Sequence, residues 1–89
     1  MDAVAAPNGR IVPRYPPREQ MLGREGTVVL AVTVEATGRV RETRVVESGG
    51  GGFDAAAREA VVKAPFHAAR RAGQAVASRV NVRVRFQLD

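Results

Sequence analysis

The chain has no cysteine and no tryptophan, one histidine, one tyrosine and three phenylalanines. Without thiols there is no disulfide framework, no thiolate metal centre and no cysteine nucleophile. The lone imidazole, His67, has no identifiable partner that would orient it as a general base, so it reads as a surface histidine. The carboxylates Asp2, Glu19, Glu25, Glu35, Glu42, Glu47, Asp54, Glu59 and Asp89 occur singly, without the spacings that gather ligands for a hard cation. Neither a metal site nor a cofactor is expected, and no catalytic constellation forms, so the chain does not read as an enzyme. Long apolar runs are missing too. The longest, Val28 to Val34, is seven residues, far short of the ~20 that a membrane helix needs. No stretch has the layout of a secretory leader.

Lysine is almost absent: 13 of the 14 basic residues are arginine, set against nine acids for a net charge of +5. Arginine favours bidentate contact with carboxylate or phosphate, which admits anionic partners. The arginines are nevertheless dispersed, with Arg70-Arg71 the only adjacent pair, so a solvated surface explains most of them. With 89 residues, 45% of them hydrophobic and 26% charged, the chain suffices for one small folded domain and no second.

Residues 1–12 lack periodicity and read as a flexible N-terminal segment, with the domain proper over 13–89. Pro13, Pro16 and Pro17 keep the next stretch extended, and Pro17 to Leu22 can form a short helix that Gly23 ends. From Thr27 the pattern has period two: Val28, Leu30, Val32 and Val34 share one face. Ala36-Thr37-Gly38 makes a turn into a second β-branched run, Val40 to Ser48, giving a hairpin. Inward positions Val40, Thr43 and Val45 are spaced three and then two, which calls for a bulge near Arg41 or Glu42. Gly49 to Gly52 lacks the Gly-Lys-Ser/Thr ending of a phosphate-binding loop and reads as a flexible connection. A helix follows over Phe53 to Lys63, with Asp54 placed to cap it, Phe53, Ala56, Ala57, Ala60 and Val61 on one face, and Pro65 at its exit. Phe66 to Gly73 reads as a basic connection.

The strictest alternation closes the chain: Val80, Val82, Val84, Phe86 and Leu88 against Arg79, Asn81, Arg83, Arg85 and Gln87. This predicts a long strand with an apolar face and an arginine face. The expected fold is α+β: a two-layer β-β-α-β arrangement, a three-stranded antiparallel sheet with one main helix on one face and a short N-terminal helix. A long strand at the edge of so small a sheet offers unpaired N–H and C=O groups, which an extended partner can satisfy by strand addition. The arginines on its solvent face discourage self-aggregation and favour a partner carrying carboxylates. Nucleic acid is not expected, since RNA-binding sheets stack bases on outward aromatics and the outward positions here are Arg, Asn and Gln.

The order Tyr15-Pro16, Gly23-Arg24-Glu25-Gly26, Thr27 to Val34, Gly38-Arg39-Val40, Val45-Val46-Glu47-Ser48, Phe53-Asp54, Ala57, Ala60-Val61, Phe66, Ala69, Gly73-Gln74, Val76 and the alternating Val80 to Leu88 resembles the C-terminal domain of TonB, the periplasmic energy transducer family. The resemblance covers about Pro13 to Leu88. It implies a periplasmic domain, normally anchored to the inner membrane by a segment absent from this chain, which would then be an excised piece of a longer protein. It implies capture of the TonB box of an outer-membrane TonB-dependent transporter by strand addition, and force supplied by inner-membrane, proton-driven motor proteins through the missing N-terminal region. Carried onto this sequence, the pairing strand is Arg79, Val80, Asn81, Val82, Arg83, Val84, Arg85 and Phe86, flanked by partner contacts from Val12, Pro13, Arg14 and Tyr15. Val12-Pro13-Arg14 stands where enteric members have Gln-Pro-Gln, and the tryptophan many members carry at the helix exit is missing. Alternatives stay open: a TonB-like domain of a motility or secretion machine docking by the same edge, a module for an anionic polymer such as peptidoglycan, and an edge-paired homodimer.

Overall fold

The computed structural model describes residues 2–89. In chain order the elements are β1 (Ala6–Pro7), α1 (Pro17–Met21), β2 (Gly26–Val34), β3 (Val40–Glu47), α2 (Phe53–Lys63), β4 (Phe66–His67), β5 (Ala69–Arg71), β6 (Gln74–Val76) and β7 (Ser78–Phe86). Strands β3, β2 and β7 form one antiparallel sheet in that order, so β2, the first of the three in sequence, lies at its centre and is flanked by the two that follow. The α+β architecture expected from the periodicities is the one observed.

Period two in β2 translates directly into burial. Val28, Leu30, Val32 and Val34 are fully buried, and the residues between them are half-buried. Each such side chain stabilises the fold by about 1.5–3 kcal/mol on transfer from water. Helix α2 packs on β2 and β3 through Phe53, Ala57 and Val61, whose spacing of four keeps them on one face. Ala57 at the centre of that face lets the helix lie close to the sheet. Val82, Val84 and Phe86 of β7 complete the core together with Ala5, Phe66 and Ala69.

The β2–β3 hairpin contains the expected bulge. Thr33 pairs with Glu42 and Val34 with Val40, leaving Arg41 as the extra residue. A second irregularity, unforeseen in the sequence, skips Val46 between Glu47 and Val45. The turn closes through Gly38, whose φ is +89° and whose missing Cβ would overlap the Phe66 carbonyl oxygen. Only glycine fits there.

Four expectations need correction. The N-terminal segment, read as flexible, is tied to the body over its described part: Ala5 is buried, β1 pairs with β4, and Ala3 and Arg70 exchange backbone hydrogen bonds of 2.9 and 2.8 Å. Short stretches of free backbone on β4 and β5 supply those partners, a tertiary fact that local composition does not encode. The portion of that expectation falling on Met1 lies outside the described residues. Asp54 does not cap α2. Its carboxylate instead accepts from Ser48 Oγ at 2.5 Å and from the Gly49 N–H at 2.8 Å, holding the loop that enters the helix. The four-glycine connection, read as flexible, is tied down at its start, with the Gly50 N–H donating to Ser48 Oγ and Gly49 pressed against Thr27 and Val28 where a Cβ would sit 2.9 Å from each. Lastly, the basic connection after α2 contains the β5–β6 hairpin, turned at Ala72 (φ +51°) and Gly73 (φ +80°).

Candidate strand-addition edge

Two strands of the main sheet are edges, and they are built differently. β3 carries two register breaks, at Arg41 and Val46. Bulges twist an edge away from regular pairing. β7 pairs with β2 without a break, from Ser78 opposite Val34 to Phe86 opposite Gly26, and β2 is its only strand partner in that sheet. Nine residues at ~3.3 Å each give a straight edge of about 30 Å.

Which backbone groups face that edge follows from the hydrogen bonds at its ends. The Glu35 N–H donates to the Arg39 carbonyl at 2.8 Å, so the backbone of Glu35 faces β3. Direction alternates along an unbulged antiparallel strand, which turns the even-numbered residues of β2 toward β7. Their partners Val80, Val82, Val84 and Phe86 therefore bond inward to β2. At the far end the Leu88 N–H points to the β2 side as well, donating to Glu25 Oε2 at 2.7 Å. The N–H and C=O of Arg79, Asn81, Arg83 and Arg85 are left facing the open edge. Their side chains share the sheet face opposite α2 and are exposed.

Of the four expected flanking residues, the structure brings Tyr15 to this strand. Its ring meets Phe86 edge-on at a centroid distance of 5.7 Å and Phe53 at 5.8 Å, while Phe53 and Phe86 lie 4.7 Å apart. The three rings close the core at the end of β7, in contacts worth about 0.5–1.5 kcal/mol each beyond burial. The Tyr15 hydroxyl donates to the Arg24 carbonyl oxygen. Burial raises the phenol pKa above its ordinary value, and the nearby Glu25 and Glu19 carboxylates raise it further. Val12 and Arg14 lie elsewhere, lining a groove of about 530 Å³ against Ala56, Ala60 and Lys63 of α2. Pro13 is half-buried. In that groove Glu59 has its pKa lowered, first by the hydrogen bond from Lys63 at 3.0 Å and then by the charges of Lys63 and Arg14, against an opposing desolvation.

Sequence reasoning passed over Glu19, an acid buried on the five-residue α1 and paired with Arg24 at 3.5 Å. It also passed over the hairpin that carries Arg70 and Arg71, although Ala-Gly between two short alternating runs was a usable turn signal. Among the described residues no group of acids or imidazoles is placed to hold a metal ion.

Comparison with known proteins bears on the family and the fold. The profile of the family described as Gram-negative bacterial TonB protein C-terminal matches residues 11–88. Protein TonB of Xanthomonas campestris pv. campestris (strain B100) is 40% identical over 78 residues, covering 86% of this chain and 35% of that protein. Protein TonB of Vibrio cholerae serotype O1 is 30% identical over 90 aligned positions, covering all of this chain and 37% of that protein. The chain thus spans about a third of the length of these relatives. The solution NMR structure of the Pseudomonas aeruginosa TonB CTD superimposes with a TM-score of 0.77 at 29% identity, covering 99% of this chain and 90% of that one. On the strength of a profile match over most of its length and a shared fold, this chain belongs to the family of TonB C-terminal domains.

Proposed function

We propose that this domain captures an extended segment of an outer-membrane TonB-dependent transporter, its TonB box, by strand addition to β7, and transmits pulling force to it from an inner-membrane, proton-driven motor. The reading places the domain in the periplasm, anchored through a region outside this chain, with no reaction catalysed. One observation carries it: of the two edges of the sheet, β7 alone is unbulged, and it presents the backbone of Arg79, Asn81, Arg83 and Arg85 outward. Four residues with one donor and one acceptor each offer eight groups to a partner strand. At about 0.5–1.5 kcal/mol net per hydrogen bond, less the cost of ordering the segment, the sum supports reversible capture. Reversibility suits a coupler that must release its load. The Tyr15–Phe53–Phe86 cluster anchors one end of β7 to the helix and the sheet, so tension along the strand is passed into the core.

An amide NMR titration of the labelled domain with a TonB-box peptide, at low and at high salt, tests this. Shifts at Arg79 to Phe86 that persist in salt are the expected result, because main-chain pairing is only weakly screened. If those amides stay still, while arginine-rich regions respond to an anionic polymer at low salt only, the strand-addition reading is wrong.

A further inference from the structure

A second groove, of about 530 Å³, runs between the N-terminal segment and the start of β7 and is walled by Arg70, Arg71 and Arg79. Three arginines from two strands line it together with one acidic residue, Asp2, whose Oδ1 already accepts the Ala72 N–H at 2.8 Å. Arg70 spends one donor on the Gly73 carbonyl at 2.8 Å. The salt bridges among the described residues, Arg24–Glu19 and Lys63–Glu59, lie elsewhere, so none of these three arginines is ion-paired there. Ser78, in the same lining, has a buried hydroxyl without a hydrogen-bond partner among the described residues, an uncommon condition for a buried polar atom. Val76 supplies an apolar wall.

Position gives the groove its meaning. Arg79 is the first β7 residue whose backbone faces the open edge, so a segment paired along Arg85 to Arg79 runs into the groove when it continues. We propose that the groove is a carboxylate subsite that reads an acidic residue at one end of the captured segment, clasped by the forks of Arg71 and Arg79. This rests on the strand-addition reading and adds a specificity element to it. Planar forks of this kind suit carboxylates in particular, and the balance of three cations to one engaged acid selects against a neutral or basic segment end.

The test uses three peptides built on the same six-residue Thr-Val repeat, one with Glu-Glu at its N-terminus, one with Glu-Glu at its C-terminus, and one with Gln-Gln at both ends. Each is titrated into the labelled domain and into its Arg71→Ala and Arg79→Ala variants, both positions being exposed. One of the two acidic peptides, the one whose direction of pairing brings its Glu pair to Ser78–Val80, is expected to bind about three- to tenfold more tightly than the neutral one, in line with a solvent-accessible charge pair. Amides 70–72 should shift with that peptide alone, and Arg71→Ala should erase the preference while leaving the neutral peptide's affinity unchanged. Equal affinity for all three peptides, with β7 amides responding, overturns the subsite and leaves strand addition standing, as does an acid preference that survives both substitutions. A response confined to the groove overturns strand addition, and with it the groove's role as the reader of a captured segment's end. Silence at both places overturns both.

Discussion

Proline substitutions at neighbouring positions of β7 separate the two sides of its backbone. Val82 is opposite Leu30 and exchanges hydrogen bonds with it at the middle of the sheet. Val82→Pro deletes that N–H, leaves the Leu30 carbonyl without its donor in a fully buried environment, and alters a side chain that is 8% exposed. An interior proline of this kind costs about 3 kcal/mol or more. Asn81 lies one residue away, but its side chain is exposed and its N–H faces the open edge. Edge strands accept proline where the lost N–H faced solvent, so Asn81→Pro should cost about 1 kcal/mol or less. The gap of at least ~2 kcal/mol corresponds to roughly 8–16 °C in melting temperature for a domain of this size. Thermal unfolding followed by circular dichroism measures it, with Asn81→Ala as the side-chain control. Peptide capture should run the opposite way relative to stability: Asn81→Pro stays folded yet loses capture, because its ring occupies the space where the partner strand would bond. Equal melting temperatures for the two prolines would refute the assignment of backbone direction. A folded Asn81→Pro variant that binds as tightly as the parent would refute strand addition at this edge.

Further expectations can be checked with the same material. Arg83→Glu should leave the melting temperature within a few degrees of the parent, since the side chain is exposed, and should weaken binding of an acidic peptide severalfold in a low-salt titration. Ala72→Gly should raise stability by up to ~1 kcal/mol in urea unfolding, because Ala72 holds φ +51° without the steric freedom of glycine. Gly38→Ala should lower it by well over 1 kcal/mol, since φ is +89° and the new methyl would collide with the Phe66 carbonyl. Tyr15, the only tyrosine, should titrate above pH 10 by ultraviolet absorbance, its folded-state pKa being raised by burial and by Glu25 and Glu19. A raised folded-state value means that the contribution is fully present below the unfolded pKa near 10 and is lost as pH climbs through the folded one, so stability should fall less steeply above pH 10 in Tyr15→Phe than in the parent.

Much of this molecule was legible in its residues because the main elements obey local rules. Period two fixed β2 and β7, the spacing of Phe53, Ala57 and Val61 fixed α2, and the irregular spacing of Val40, Thr43 and Val45 was enough to place a bulge near Arg41 or Glu42, of which the structure selects Arg41. Those signals survive because each element has one face in the core, and burial is repeated at the period of the backbone. The arginine face of the last strand was legible for the same reason.

Tertiary structure decided what depends on partners distant in sequence. Ala3 finds Arg70 across 67 positions, and Asp2 finds Ala72, so a segment with no periodicity of its own becomes ordered by backbone groups that other strands leave free. Asp54 turned from capping its helix to holding the loop, because Ser48 and Gly49 were brought within reach by the hairpin. The outward direction of the Arg79, Asn81, Arg83 and Arg85 backbone was equally hidden. Side-chain alternation tells which face a residue occupies, but the side toward which its N–H points depends on which strand lies on each flank. That was settled only when β2 came to lie between β3 and β7 and left the far side of β7 open.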